Sequence, residues 1–418
     1  MRWFVVAAAL ILAAPVQAAD KSAVLKTYAD IALAIYEDSL TTARGLQTAV
    51  RGFLAKPSAK TQEAVKQAWL AARVPYQQSE VYRFGNTIVD EWEGRVNAWP
   101  LDEGLIDYVD ADYGKDSEEN SFYTANVIAN RVLLIGGKKT DARVIDAKLI
   151  RSLHEIDEVE ANVATGYHAV EFLLWGQDLN GTEPGAGARP WTDFALGKAC
   201  TGGHCDRRRE YLLAATALLI DDLEDMVANW QSGGKARKAL VSGKPTQGLA
   251  VMLKGMGSLS YGELAGERMK LGLMLHDPEE EHDCFSDNTH NSHYYNQVGI
   301  RNVYLGRYQR TDGRVVEGPS LSDLVKAKAP KVDADMRRKM DAALAALDAM
   351  RKSAESGRMA YDQMIGEGNA AGNAMVQHAI DALLDQTKAI EKAVAALDLG
   401  SLAFEGSDSL DNPAAVFK

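Results

Sequence analysis

Apolar side chains recur at steps of three and four residues along most of this sequence, and this periodicity limits the fold more than any other feature. Apolar stripes of this kind lie near the N-terminus and in the ranges 65–82, 211–227, 344–350 and 375–394. Such spacing places side chains on one face of an α-helix, whereas alternating β-branched segments are scarce. We therefore predict an all-α protein built from helical bundles. The stripe nearest the N-terminus comprises Val24, Leu25, Tyr28, Ile31, Ala32, Ile35 and Tyr36.

Residues 1–18 have the composition of a secretory signal peptide. Arg2 supplies a positive charge, residues 3–15 are mostly apolar, and the run ends in the small-x-small pattern of residues 16–18. The apolar run is shorter than the roughly 20 residues that a membrane-spanning helix needs. We expect an exported, periplasmic protein without a transmembrane segment after cleavage.

The remaining chain, roughly 400 residues, is longer than one hydrophobic core usually serves. Glycine and proline are dense in the range 180–205, and we place a boundary at its end. The prediction is two helical lobes, 19–205 and 206–418, with a cleft between them. A short match between residues 166–176 and 299–306 fits an internal duplication, and chance explains it equally well.

Charge and cysteine content limit the partners and the chemistry. The formal net charge of −12 argues against nucleic acid or anionic lipid as a partner. Cys200 and Cys205 are close enough to bridge a small loop, which export permits, and Cys284 would then remain free. Inert thiols are the alternative.

The segment Gly166–Glu171 carries the residues best suited to bind a cation. Residues 166–175 have a helical pattern, and His168 and Glu171 are three apart, so their side chains share one face. An imidazole and a carboxylate placed in this way can share one cation, and these donors suit iron or zinc. The alternative is an ordinary pair on a helix surface.

Several segments together resemble the imelysin family, also classed as peptidase M75-like, and within it the iron-regulated protein A branch. The resemblance covers nearly the whole chain after the signal peptide, and its segments occur in the family's order. They are the GxHxxE signature Gly166–Glu171, the early-helix residues Trp69, Arg73, Tyr76 and Glu80, the segment Asn97–Glu103, the loop Arg189–Phe194, and the ranges Gly262–Met269 and Glu280–Thr289.

The resemblance implies a two-lobe helical fold, a cleft, and a role in bacterial iron uptake. Together with the signal peptide, this role predicts a periplasmic protein that binds iron or an iron-bearing ligand such as haem. A location peripheral to the outer membrane is the alternative. A component of an uptake system in the outer or inner membrane is then an expected partner. The implied metal ligands are His168, Glu171, Glu80 and Asp102, and the implied cleft residues are Arg73, Tyr76, Trp99, Asp287 and Asn288.

Two other functions remain open from the sequence. A zinc metallopeptidase would use His168 and Glu171, but a third ligand is not identifiable and the His-Glu-x-x-His pattern is absent. A structural or surface protein would use the cleft for a protein partner. The range 276–293 is rich in histidine and acids, and we interpret it as a solvated loop rather than a second cation site.

Overall fold

The computed structural model describes residues 20–115, 117–118, 120–135 and 138–417. The predicted signal peptide lies outside the described residues. The helices are α1 (Lys21–Ala55), α2 (Ala59–Gln77), α3 (Thr87–Asn97), α4 (Glu103–Ile106), α5 (Ala147–Leu153), α6 (Gly166–Trp175), α7 (Cys205–Trp230), α8 (Lys235–Val241), α9 (Pro245–Ser258), α10 (Leu271–Leu275), α11 (Thr289–Leu305), α12 (Leu321–Lys328), α13 (Pro330–Glu355), α14 (Tyr361–Ile365), α15 (Ala370–Ala396) and α16 (Asp408–Asp411).

The predicted all-α class is confirmed. A π-helical segment, Leu259–Lys270, joins α9 to α10. The strands in the described part of the chain form two antiparallel pairs, β1 (Val132–Ile135) with β2 (Lys138–Asp141) and β3 (Arg307–Gln309) with β4 (Val315–Glu317). Across the residues that the structure describes, no helix is both long enough and apolar enough to cross a bilayer.

Short-range signals in the sequence explain where the first two helices begin. The Asp20 carboxylate accepts a hydrogen bond from the backbone N–H of Ser22 at the start of α1, and the Ser58 hydroxyl accepts one from Thr61 at the start of α2. Such caps satisfy backbone donors that have no partner inside the helix. The apolar stripe of α1 is buried against α2 and α7.

Two hydrophobic cores organise the helices. The larger core contains residues from Val24 to Leu397, and the smaller core joins the π-helical segment with α13, α14 and α15. Helix α7 begins at Cys205 and packs against α1 and α6, which precede the proposed boundary. Helix contacts thus cross residue 205, and the division of the chain into two lobes at that residue stays a prediction.

A disulfide joins Cys200 to Cys205 at the start of α7. The bridge that the spacing allows is therefore formed. Cys284 is free, as expected if the other two cysteines are paired.

Close packing of two helices fixes the position of α6. Gly166, its first residue, has φ of +82°, and a Cβ there would lie 2.4 Å from the backbone oxygen of Val96 in α3. Only glycine combines that backbone conformation with so short an approach. Every residue of α6 is buried, so the side chains of His168 and Glu171 face the protein interior.

Candidate metal centre

His168 and Glu171 contact each other at the centre of the fold. Nδ1 of His168 lies 2.9 Å from Oε2 of Glu171, and both side chains are almost fully buried. The other carboxylate oxygen, Oε1, accepts hydrogen bonds from the backbone N–H of Ser286 at 3.0 Å and from its hydroxyl at 2.6 Å. Glu171 is therefore held from both sides, between the imidazole and Ser286.

The imidazole of His168 is neutral at physiological pH. Burial and the nearby charge of Arg73 lower its pKa to about 3. Burial and the charge of Asp283 raise the pKa of Glu171 well above its usual value, although the hydrogen bonds from Ser286 oppose this. The contact between His168 and Glu171 is consequently a hydrogen bond through Nδ1 rather than an ion pair. Nε2 of His168 is buried and has no hydrogen-bond partner among the described residues.

His282 and Asp283 complete a compact group of donors around His168. One ligand atom from each of the three residues lies within 4.8 Å of the others, and all three side chains are buried. The rings of His168 and His282 are 4.8 Å apart between centroids. Burial and the neighbouring Arg268 lower the pKa of His282 well below its usual range, so this imidazole is also neutral.

Arg73 of α2 links the donor group to the surrounding helices. Its Nη2 donates to Oδ1 of Asp283 at 2.6 Å, and its Nη1 donates to Oδ1 of Asn97 at 2.6 Å. Burial opposes ionisation of Asp283, but the Arg73 charge prevails and lowers the pKa of this carboxyl to about 2. Oδ2 of Asp283 accepts further hydrogen bonds from Asn288 at 2.7 Å and from Ser292 at 2.5 Å. A charge buried in this way needs such compensation.

The structure does not place Glu80 and Asp102 in this donor group. Oε2 of Glu80 accepts a hydrogen bond from Arg268 at 2.8 Å, within a buried ion pair. Oδ2 of Asp102 accepts one from Asn120 at 2.5 Å. Both carboxylates are satisfied by other partners, so we do not carry them into a proposed ligand set.

The expected cleft residues border the donor group in different ways. Tyr76 is buried and packs its ring 4.8 Å from that of Tyr167, while Arg73 lies over both rings. The ring centroids of Trp99 and His282 are 5.9 Å apart. Asn288 donates directly to Asp283, whereas Asp287 is half-buried, and burial raises its pKa to about 8.

Two cavities lie beside the donor group. One, of about 630 Å³, is lined by Arg73 together with Ser286, Asn288 and Ser292, which hydrogen-bond to Glu171 or Asp283. The other, of about 800 Å³, reaches His282 and has two arginines on its wall. The carboxylates that line this second cavity are Asp90, Glu91, Glu93, Glu155, Glu160, Glu263, Glu267 and Glu280.

The interpretation of residues 276–293 as a solvated loop is wrong for residues 281–283 and for the two histidines that follow them. Glu281, His282 and Asp283 are at most 1% exposed, and His290 and His293 are also buried. This segment and the start of α11 pack against α2, α6 and Tyr361 of α14, which are far away in sequence. Two sequence signals pointed to this segment, its density of histidine and acids and the resemblance of Glu280–Thr289, and neither singled out His282 or Asp283.

Comparison with known proteins supports the same family. Residues 32–390 match the family model described as imelysin. The chain belongs to the imelysin family. An iron-regulated protein A of Synechococcus elongatus is 23% identical over 321 residues, which is 74% of this chain and 70% of that protein.

Two crystal structures share the imelysin fold of this chain. One is assigned as an iron-regulated protein A precursor from Parabacteroides distasonis ATCC 8503, with a TM-score of 0.63, 20% identity, and 92% of this chain and 97% of that chain covered. The other is an imelysin-like protein from Psychrobacter arcticum 273-4, with a TM-score of 0.62, 16% identity, and 95% and 100% covered. At these identities the two structures support the fold alone.

Proposed function

We propose that this imelysin-family protein binds a transition-metal ion, with iron as the physiological ion, as an accessory to iron uptake in the periplasm. His168, His282 and Asp283 are the proposed ligands. The observation that carries the proposal is the convergence of these three buried donors within 4.8 Å of one another. Two imidazoles and one carboxylate are a common donor set for non-haem iron(II) and also for zinc.

The donors have the protonation states that metal binding requires. Neutral imidazoles and an ionised carboxylate are the forms that coordinate metals, and the pKa of each group is displaced toward that form. The unpartnered Nε2 of His168 supplies a buried lone pair when Nδ1 donates to Glu171. A ligating histidine is commonly oriented by a carboxylate in this manner. We therefore assign Glu171 an orienting role rather than a ligand role.

The preference for iron comes from the relatives and not from the geometry. The Synechococcus relative is named an iron-regulated protein, and two imidazoles with one carboxylate accept zinc as readily. The acidic wall of the cavity at His282 supports entry of the metal as a cation, because a concentration of carboxylates attracts cations.

A metallopeptidase is the second candidate, since catalytic zinc in some peptidases also has two histidines and one carboxylate as ligands. Such an enzyme needs a general base near the metal-bound water. Glu171, the nearest carboxylate to His168, is already bonded to Nδ1 and to Ser286. We therefore favour binding over catalysis.

The test is the metal content of the exported protein, measured by mass spectrometry, followed by titration of the stripped protein with iron(II) without oxygen. We expect about one ion per chain, lost in His168→Ala and His282→Ala and retained in His378→Ala, which changes an exposed histidine on α15. A wild-type protein that takes up neither iron nor zinc overturns the proposal. Peptide cleavage abolished both by a chelator and by Glu171→Gln favours the peptidase instead. Cell fractionation tests the periplasmic location.

A further inference from the structure

Three segments of the chain meet in the region of residues 281–287: the loop that follows α6, the segment 276–288 and helix α14. The backbone N–H of Gly187 donates to the backbone oxygen of Phe285 at 2.9 Å, and Nδ1 of His276 donates to the backbone oxygen of Ile365 at 2.6 Å. The three segments contribute four carboxyl groups that are distant in sequence. These groups belong to Asp178, Glu281, Asp287 and Asp362.

Each of the four carboxyl groups interacts with the other three. Burial and the charges of the other three raise the pKa of Glu281 well above its usual value. Burial and the charges of Asp362 and Asp178 raise the pKa of Asp287 to about 8. Burial and, less strongly, the charge of Asp178 raise the pKa of Asp362 to about 6. The four groups therefore repel one another when they are ionised.

Several oxygens of this group are buried without a hydrogen-bond partner. Glu281 and Asp362 are each 1% exposed, yet Oε2 of Glu281 and both carboxylate oxygens of Asp362 have no partner among the described residues. The same holds for Oδ1 of Asp287. Backbone N–H groups at the start of α14 act on the Asp362 carboxylate but do not reach hydrogen-bond geometry. Orphaned buried oxygens of this kind are costly, and they indicate an ion or a water molecule as their partner.

The protein itself supplies no counter-charge to two of these carboxylates. Within the described ranges, no basic side chain acts on the pKa of Asp287 or of Asp362. Asp283, in the same segment, differs because its charge is compensated by Arg73 at 2.6 Å. A buried carboxylate is normally paired or bound to a metal, so positive charge from outside the chain fits here.

A small cavity adjoins two members of the group. Asp178 and Glu281 line a space of about 10 Å³, which is room for about one water molecule or one ion. Across the described residues, only His168, His282 and Asp283 converge within 4.8 Å as a group of three or more donors. The four carboxyl groups are therefore spaced more widely, which suits a hard cation that keeps water molecules in its coordination shell.

We propose that Asp178, Glu281, Asp287 and Asp362 form a second cation site, which binds one hard divalent ion, calcium or magnesium, partly through water. Carboxylate oxygens are the donors that these ions prefer, whereas the imidazoles around His168 suit transition metals. An ion here offsets the repulsion among the four groups and gives the orphaned oxygens a partner. The inference does not depend on the function proposed for the donor group, because the two sites share no residue.

The test is equilibrium dialysis of the metal-free mature protein against radioactive calcium, followed by competition with magnesium. We expect about one calcium ion per chain with a Kd of about 10⁻⁴–10⁻³ M, as in extracellular calcium-binding modules. Asp362→Asn and Glu281→Gln should weaken binding at least about tenfold, since each removes one charged ligand. Displacement of calcium by an equal or lower concentration of magnesium assigns the site to magnesium, and weaker competition assigns it to calcium.

The matched controls remove carboxylates from a different acidic surface. Glu91 and Glu160 are exposed and line the cavity at His282. Glu91→Gln and Glu160→Gln should therefore bind calcium like the wild type. His168→Ala should also bind calcium like the wild type, so a failure of the iron proposal and a failure of this one are distinguishable.

Thermal unfolding separates loss of the ligand from loss of folding. Calcium should raise the melting temperature of the wild type, because it binds the folded chain, and should leave that of Asp362→Asn unchanged. Without the ion, Asp362→Asn should be the more stable protein above pH 6, since the substitution removes the repulsion, so misfolding cannot explain its loss of binding.

Three results overturn the proposal. The first is that the wild type binds neither calcium nor magnesium at about 10 mM, well above the expected Kd. The second is that Glu91→Gln and Glu160→Gln weaken calcium binding as much as Asp362→Asn does. The third is that His168→Ala abolishes calcium binding, which would place the ion at the donor group instead.

Discussion

Nη2 of Arg73 lies 2.6 Å from Oδ1 of Asp283, and both side chains are at most 1% exposed although 210 residues separate them in sequence. This contact joins α2 to the segment before α11 at the donor group. The arginine compensates the charge of a proposed ligand, and it also limits the negative charge that the site offers a cation. The Arg73–Asp283 pair therefore affects both the stability of the fold and the affinity of the site for a metal ion.

Removal of Arg73 alone should be strongly destabilising. In Arg73→Met the Asp283 carboxylate stays buried without its counter-charge, which costs about 3–5 kcal/mol of the free energy of unfolding. The double variant Arg73→Met/Asp283→Leu should recover part of that loss, because no charge is then left buried. Urea denaturation of the four proteins of this cycle measures the coupling.

The control for that cycle is the exposed pair of Arg307 and Glu317, 3.3 Å apart. Arg307→Met should change the free energy of unfolding by less than about 0.5 kcal/mol. Equal destabilisation by Arg73→Met and Arg307→Met would show that the buried contact contributes no more to the free energy of unfolding than the exposed pair.

Glu171 and His168 should contribute differently to metal affinity. If Glu171 orients His168 rather than coordinating the ion, Glu171→Gln should weaken binding by about 10–100-fold, while His168→Ala should abolish it. Ser286→Ala removes one of the two hydrogen bonds from that residue to Glu171, so its effect should be smaller than that of Glu171→Gln. Competition against a chromogenic chelator gives the three affinities. Equal losses in Glu171→Gln and His168→Ala would instead make Glu171 a ligand.

Gly166 should tolerate no side chain. In Gly166→Ala the new methyl group meets the Val96 oxygen and the residue must keep a positive φ, so we expect a loss of at least about 2 kcal/mol of unfolding free energy. Gly45, within α1, has nothing within 4 Å of an added Cβ, and Gly45→Ala should stabilise the protein by about 0.5–1 kcal/mol. Thermal unfolding followed by circular dichroism compares the two. A Gly166→Ala protein as stable as the wild type would contradict the close approach of α6 to α3.

Local patterns in the sequence were enough to predict the fold class and α6 itself. The stripe from Val24 to Tyr36 lies within α1, and the predicted helix 166–175 has the observed bounds. Apolar periodicity and N-terminal caps act within a few turns, so a single sequence displays them. Which helix packs on which, as with α7 against α1, depends on contacts that periodicity does not encode.

The site was predictable only where its residues share one helix. His168 and Glu171 are one turn apart, and their contact follows from helix geometry. His282 and Asp283 were not chosen as ligands of the His168 site, because their segment was interpreted as a solvated loop. They lie in irregular backbone between short 3₁₀ turns, Pro278–Glu280 and Cys284–Ser286. The proline and asparagines around them are typical of exposed turns, and only long-range packing buries this segment.

Asp362 gives the protein a specific dependence of stability on pH. This residue is 1% exposed, and burial together with the nearby Asp178 carboxylate raises its pKa to about 6, although backbone N–H groups oppose the shift. A carboxyl group whose pKa is higher in the folded state binds a proton more tightly there than in the unfolded chain, where the pKa is about 3.9. Its contribution to stability is therefore least favourable above pH 6 and improves as the pH falls toward 4.

Asp362→Asn removes this ionisation, and we expect the variant to exceed the wild type by roughly 3 kcal/mol in free energy of unfolding at pH 8. The advantage should shrink between pH 6 and pH 4 and vanish below pH 4, because the wild-type carboxyl is then protonated in both states. Urea denaturation at pH 4, 6 and 8 measures the difference. Asp408→Asn, at the start of α16, is the control, because this aspartate is exposed. An Asp362→Asn advantage that does not change with pH would mean that amide packing, rather than the carboxyl charge, causes it.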